Sequence, residues 1–168
     1  MKLRSRIVAA AGVLAIAAAA TVAGVTSASA SPAAPAGSSG FESFQIVATS
    51  PSGPSSIIAT GLFTAGGVNH PGSHVDTAVF PNGTFKIAHS NGTGTPRFNH
   101  KTCLAIIVVN GTYQIGSGTG AYAGISGHGI YRLNILFVAA RNSAGQCSQT
   151  LPPAAYQQII RAQGPLSL

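Results

Sequence analysis

The chain has 168 residues and a net charge of +7, with 45% hydrophobic and only 7% charged residues, 21 glycines, 10 prolines, two cysteines and no tryptophan. Ionisable groups this sparse and scattered provide neither a basic patch nor a recognised motif, so no nucleic-acid partner is expected. Nor do they suggest an active site rich in acids and bases.

The chain opens with a basic stretch, MKLRSR, followed by the apolar run IVAAAGVLAIAAAATVAGV and the small-x-small triplet ASA at Ala28 to Ala30. This order reads as a signal peptide over 1–30 that is removed on export. The polar tract SPAAPAGSSG at 31–40 follows and reads as a flexible leader. The expected product is secreted and extracellular, with no membrane segment once the signal is cleaved. A single domain over 41–168 is long enough to bury its own core. Beyond the signal, six basic side chains (Lys86, Arg97, Lys101, Arg132, Arg141 and Arg161) stand against Glu42 and Asp76.

Beyond the leader the hydrophobic period is close to two, in short runs separated by Gly, Asn, Pro and Ser. Eight strands are predicted, over 42–49, 56–64, 74–80, 84–89, 103–109, 112–117, 127–139 and 154–163. Asn-Gly occurs inside PNGT at Pro81 to Thr84 and inside NGT at Asn110 to Thr112, each time between two strand-like runs. Both are predicted as tight hairpins, because a type I′ turn needs positive φ at both central residues. The same Asn-Gly-Thr triplets match a glycosylation pattern, but a bacterial-type export signal favours the turn reading. Ser90 to Asn99, SNGTGTPRFN, reads as a longer loop.

Eight antiparallel strands linked by hairpins either close into a barrel or stack as a sandwich. The segment GSGTGAYAGISGHG at Gly116 to Gly129 favours the barrel. Its glycines allow the chain to cross one end and enter a long, curved strand. The predicted fold is therefore an all-β, eight-stranded antiparallel up-and-down β-barrel. In the long strand Tyr131, Leu133, Ile135 and Phe137 share one face and are predicted to point into the lumen. An eight-stranded barrel is either filled by side chains or holds one small ligand, and the pattern leaves both open.

Cys103 and Cys147 are an even pair in an exported chain, which predicts a disulfide closing a long loop. Their spacing matches no zinc pattern. In NHPGSHVDT, His70, His74 and Asp76 form a conceivable metal-ligand set, but solvated loop histidines are the commoner case and no metal or cofactor is assigned. Ser126 and His128 flank Gly127, and with Asp76 they outline a hydrolase triad; no nucleophile elbow is present and no catalytic residue is assigned. The glycine run lacks the helix and the lysine that a phosphate loop needs. Glu42, at the start of the first strand, reads as a solvated end residue.

The short-strand meander, the segment GTGAYAGISGHGIY at Gly118 to Tyr131 and the closing strand AYQQIIRAQGPL resemble the allene oxide cyclase barrel superfamily, which includes the dirigent proteins. The resemblance extends to small secreted bacterial proteins with such barrels. It implies an apolar lumen and assembly into trimers. In the plant members that lumen cyclises an unsaturated epoxide or steers radical coupling, but their polar and acidic pocket residues are not recovered in this chain. Two functions are therefore expected. One is binding of a small apolar ligand, or a scaffold role, by an extracellular barrel. The alternative is an isomerase or cyclase acting in the lumen, so whether the protein is an enzyme stays open.

Overall fold

The computed structural model describes residues 35, 37–90 and 92–168. The expected signal peptide and most of the leader lie outside the described residues. Nine strands form: β1 (Ser39–Ala48), β2 (Ser55–Gly61), β3 (Ala65–His70), β4 (Val75–Phe80), β5 (Gly83–His89), β6 (Thr93–Asn99), β7 (Leu104–Gly116), β8 (Ser126–Val138) and β9 (Ala155–Ser167). They make one antiparallel sheet in the order β5-β4-β3-β2-β1-β9-β8-β7-β6, and β5 also pairs with β7. That last pairing, Lys86 to His89 against Tyr113 to Gly116, closes an eight-stranded up-and-down barrel. β6 is the additional strand.

Period-two patterning decides which side chains enter the barrel. Glu42, Phe44, Ile46 and Ala48 point inward from β1, Ile57 and Ala59 from β2, Ala78 and Phe80 from β4, and Phe85 and Ile87 from β5. Every lateral neighbour except the closing pair is consecutive in the chain or joins the two ends of the fold, β1 to β9.

The strand count differs from the expected eight in three places. β3, sequence AGGVNH, carries two adjacent glycines and no run of β-branched residues, so its pairing with β2 and β4 makes it a strand where local propensity does not. The expected loop at 90–99 contains β6, fully exposed along its length, with Pro96 on a free edge where a missing N–H is tolerated. The two expected strands at 103–109 and 112–117 are one strand, β7, and Asn110-Gly111 is no turn. Gly111 instead faces Tyr131 across the β7–β8 ladder. A Cβ at Gly111 would stand 2.5 Å from the Tyr131 ring, so this glycine makes room for an aromatic residue in mid-strand.

The other Asn-Gly pair does mark a hairpin, between β4 and β5, but with a different turn. Phe80 pairs with Gly83, which leaves Pro81 and Asn82 as the two loop residues. Proline holds φ near −65° and so rules out a type I′ geometry. The leader is also shorter than expected: β1 starts at Ser39, and the Gly37 amide donates to the Leu168 carbonyl.

β6 continues the direction of β5 and pairs with the same partner. His89 faces Tyr113 and Thr93 faces Asn110, so three residues on one side span two on the other. Such a one-residue shift of register between β5 and β6 is the mark of a β-bulge. The wall is also uneven. β7, β8 and β9 each run 13 residues, whereas β2 to β5 run six or seven.

The expected disulfide joins Cys103 to Cys147, with Cα atoms 5.4 Å apart and a sequence separation of 44. It fastens the long β8–β9 connection to the start of β7. The Ala139 amide reinforces it by donating to the Cys103 carbonyl at 2.9 Å.

Candidate functional site

The lumen is filled at one end and open at the other. At the filled end the glycine-rich segment after β7 crosses the barrel, and a single 3-10 turn, Gly120–Tyr122, drops the Tyr122 ring into it. That ring lies 5.1 Å from Phe63, 5.4 Å from Phe85 and 5.7 Å from Phe80, centroid to centroid. Phe44 caps this cluster from above, edge-on to Phe63, Phe85 and Tyr113. The crossing is tight: a Cβ on Gly118 would stand 1.7 Å from the Tyr122 carbonyl oxygen, so only glycine fits there. This is what the opening glycines of the segment do, and it leaves the barrel with a solid floor.

Above the floor is a cavity of about 380 Å³ that opens where the short wall ends. Its walls are largely apolar, from Phe44, Ile46, Ile87, Val109, Leu133 and Ile160. One corner is polar. Asp76 accepts hydrogen bonds from the Asn69 side-chain amide and the Gly72 backbone amide, both at 2.9 Å. The His89 Nε2 stands 3.4 Å from the same carboxylate. Without those donors a carboxylate at this depth would be costly to bury. Asn69 is itself buried, and its side-chain oxygen has no partner within the described residues.

The bulge positions this corner. The Ser90 amide donates to the Thr112 carbonyl, and the Thr112 amide returns a bond to the Ser90 hydroxyl, each at 3.0 Å. The Tyr131 hydroxyl donates to the Ser90 carbonyl at 2.8 Å, and its ring meets that of His89 edge to face. The side chain that fills the space over Gly111 thus also holds the strand carrying His89.

Tyr113 lines the cavity from β7. Burial, and then the nearby charge of Glu42, push its hydroxyl up to about 12. It stays protonated and can serve as a hydrogen-bond donor. Glu42 is not the solvated end residue expected. It shares the inward face of Phe44 and Ile46, is fully buried, and accepts from the Phe63 amide at 3.0 Å. Burial raises its pKa above the ordinary 4.5, and backbone amides, that of Phe63 first, pull the other way.

Of the four side chains expected in the lumen, Tyr131 and Leu133 line the cavity. Ile135 is half-buried on the same face, opposite Gln158. Phe137 stands opposite Tyr156, above the point where β1 ends against Gln158, and lines a separate groove with Leu151. His70 and His74 are exposed loop-end residues, and the histidine that reaches Asp76 is His89. Among the described residues no three potential ligands gather around a metal position. Ser126 and His128 are exposed and share a shallow hollow with Gln114, whereas Asp76 faces the lumen, so the paper triad does not assemble. His89 was missed, although it ends the predicted strand 84–89 and the alternation Phe85, Ile87, His89 places it inward.

Fold and site together define an antiparallel β-barrel with an aromatic floor and an apolar mouth carrying one polar corner. Compared with known proteins, the chain matches no family model, no curated protein and no solved structure.

Proposed function

We propose that the protein is a secreted barrel that binds a small, mainly apolar molecule in the mouth of its lumen. The single observation that carries this reading is the cavity of about 380 Å³, apolar on most sides with Asp76 and His89 at one corner. Small-molecule sites commonly have this character: about 300–1,000 Å³, mostly hydrophobic, with a few placed polar groups. Asp76 supplies acceptor oxygens at this corner, so a ligand bearing a hydroxyl or amine suits it best. The disulfide and the reading of the first thirty residues as an export signal support an extracellular setting.

The test is titration of purified protein with the neutral fluorophore N-phenyl-1-naphthylamine. Saturable enhancement is expected, weakened at least tenfold by Leu133→Trp, which fills the mouth without touching the floor. Absence of enhancement, or equal binding by the variant, would refute lumenal binding.

A second reading, an isomerase or cyclase of the kind the resemblance implies, draws support from the Asp76–His89 pair, which sets a carboxylate beside an imidazole in a preshaped apolar space. Turnover of an unsaturated epoxide, abolished by His89→Phe, would favour it.

A further inference from the structure

The outside of the long wall carries a feature that the lumen does not use. The register sets Arg132 of β8 directly opposite Arg161 of β9. The same row continues to Asn110 of β7 on one side and to Gln45 of β1 on the other. All four side chains are exposed. Directly opposed residues have Cβ atoms about 4.5–5.5 Å apart, and like charges so placed destabilise a sheet. An interleaved carboxylate would relieve this, but both acidic side chains among the described residues, Glu42 and Asp76, point into the barrel. Among those residues the one close contact between a basic and an acidic side chain is His89 with Asp76, and the arginine side-chain hydrogen bonds are those of Arg141. Arg132 and Arg161 therefore leave opposed strand positions with no acidic partner among the described residues.

The surroundings are shaped as well as charged. Arg132 and Arg161 line an outer groove of about 660 Å³ together with Gln45, Ile58, Ile130 and Gln163. Ile130 is 61% exposed and Ile58 51% exposed, a large apolar display flanking a cationic centre.

We propose that the Arg132–Arg161 pair is an oxyanion site for a phosphate or sulfate monoester bearing an apolar substituent. Guanidinium groups match tetrahedral oxyanions through paired N–H donors. Gln45 and Asn110 extend the row with neutral amide donors, and the substituent lies on Ile130 and Ile58. Because the site is open to solvent, its affinity falls as ionic strength rises.

The experiment follows arginine Nε–H and isoleucine methyl NMR signals of purified protein during titration with octyl phosphate below its micelle concentration, inorganic phosphate, and octanol. Octyl phosphate is expected to move the Arg132 and Arg161 signals together with the Ile130 and Ile58 methyls. Inorganic phosphate is expected to move the arginines alone, with at least tenfold weaker affinity. Arg161→Gln should cut octyl phosphate affinity at least tenfold while leaving the backbone spectrum in place, since that side chain holds nothing else. Three results would overturn the proposal: arginine signals that stay put, undiminished binding by Arg161→Gln, or a stable oligomer in sedimentation that buries the row. Octanol entering at Leu133 and Ile160 would report on the lumen separately, so the two sites stand or fall apart.

Discussion

Removal of the Tyr122 ring tests how the barrel keeps one end solid. The side chain is 2% exposed and touches three phenylalanines at 5.1 to 5.7 Å. Truncating a buried aromatic to alanine costs about 3–5 kcal/mol, combining lost transfer free energy with the cavity left behind. Tyr122→Ala should fall in that range, because the floor is a loop crossing pinned by Gly118 and has little freedom to collapse inward. Against a total of about 5–15 kcal/mol for a domain, this is a large fraction. Urea unfolding followed by circular dichroism gives the difference directly. In a thermal scan it corresponds to a fall of roughly 10–15 °C for a chain of this size. Tyr122→Phe should lie within about 0.5 kcal/mol of wild type, since no hydrogen bond of the hydroxyl is found within the described residues. A loss below about 1 kcal/mol for Tyr122→Ala would show that the ring is not the floor and that the 3-10 turn is an ornament on a core packed without it.

Two further outcomes follow from the buried groups and the cross-link. Burial raises the Glu42 pKa in the folded state, so the stability it contributes is complete below the unfolded value of 4.5 and is lost as pH rises through the folded value. Wild type should therefore lose stability between acid and neutral pH relative to Glu42→Gln, as measured by urea midpoints across pH; parallel curves for the two proteins would remove Glu42 from the account. Replacing both Cys103 and Cys147 by serine should cost about 4 kcal/mol on the chain-entropy treatment of a 44-residue loop. Chemical unfolding with and without reductant measures it, and a difference under about 1 kcal/mol would mean that the β8–β9 connection is held by its backbone bonds alone.

Local patterning went a long way in this protein. Period-two alternation made the chain all-β, the even cysteine pair announced the cross-link, and the glycines after β7 pointed to a chain crossing a barrel end. These are properties of near neighbours, or of composition, and need no knowledge of what lies across the sheet. Asn110-Gly111 shows where that reasoning stops. The dipeptide is a turn signal by itself, yet it lies in mid-strand because the Tyr131 ring, twenty residues further on, occupies the space a side chain would need. β3 is similar, a glycine-rich segment made into a strand by neighbours on both edges.

The site was decided almost wholly by tertiary structure. Asp76 was legible as one of two acids, but its partner is His89 across the adjacent strand and not the two histidines nearest in sequence. Whether the lumen would be full or empty had no answer along the chain, and the barrel does both. Short strands on one side and long ones on the other leave a mouth above an aromatic floor. Alternation along a strand is set by backbone geometry, one residue at a time. Which side chains meet across a closed barrel depends on register, bulge and relative strand length, and those exist only once every strand has found its neighbours.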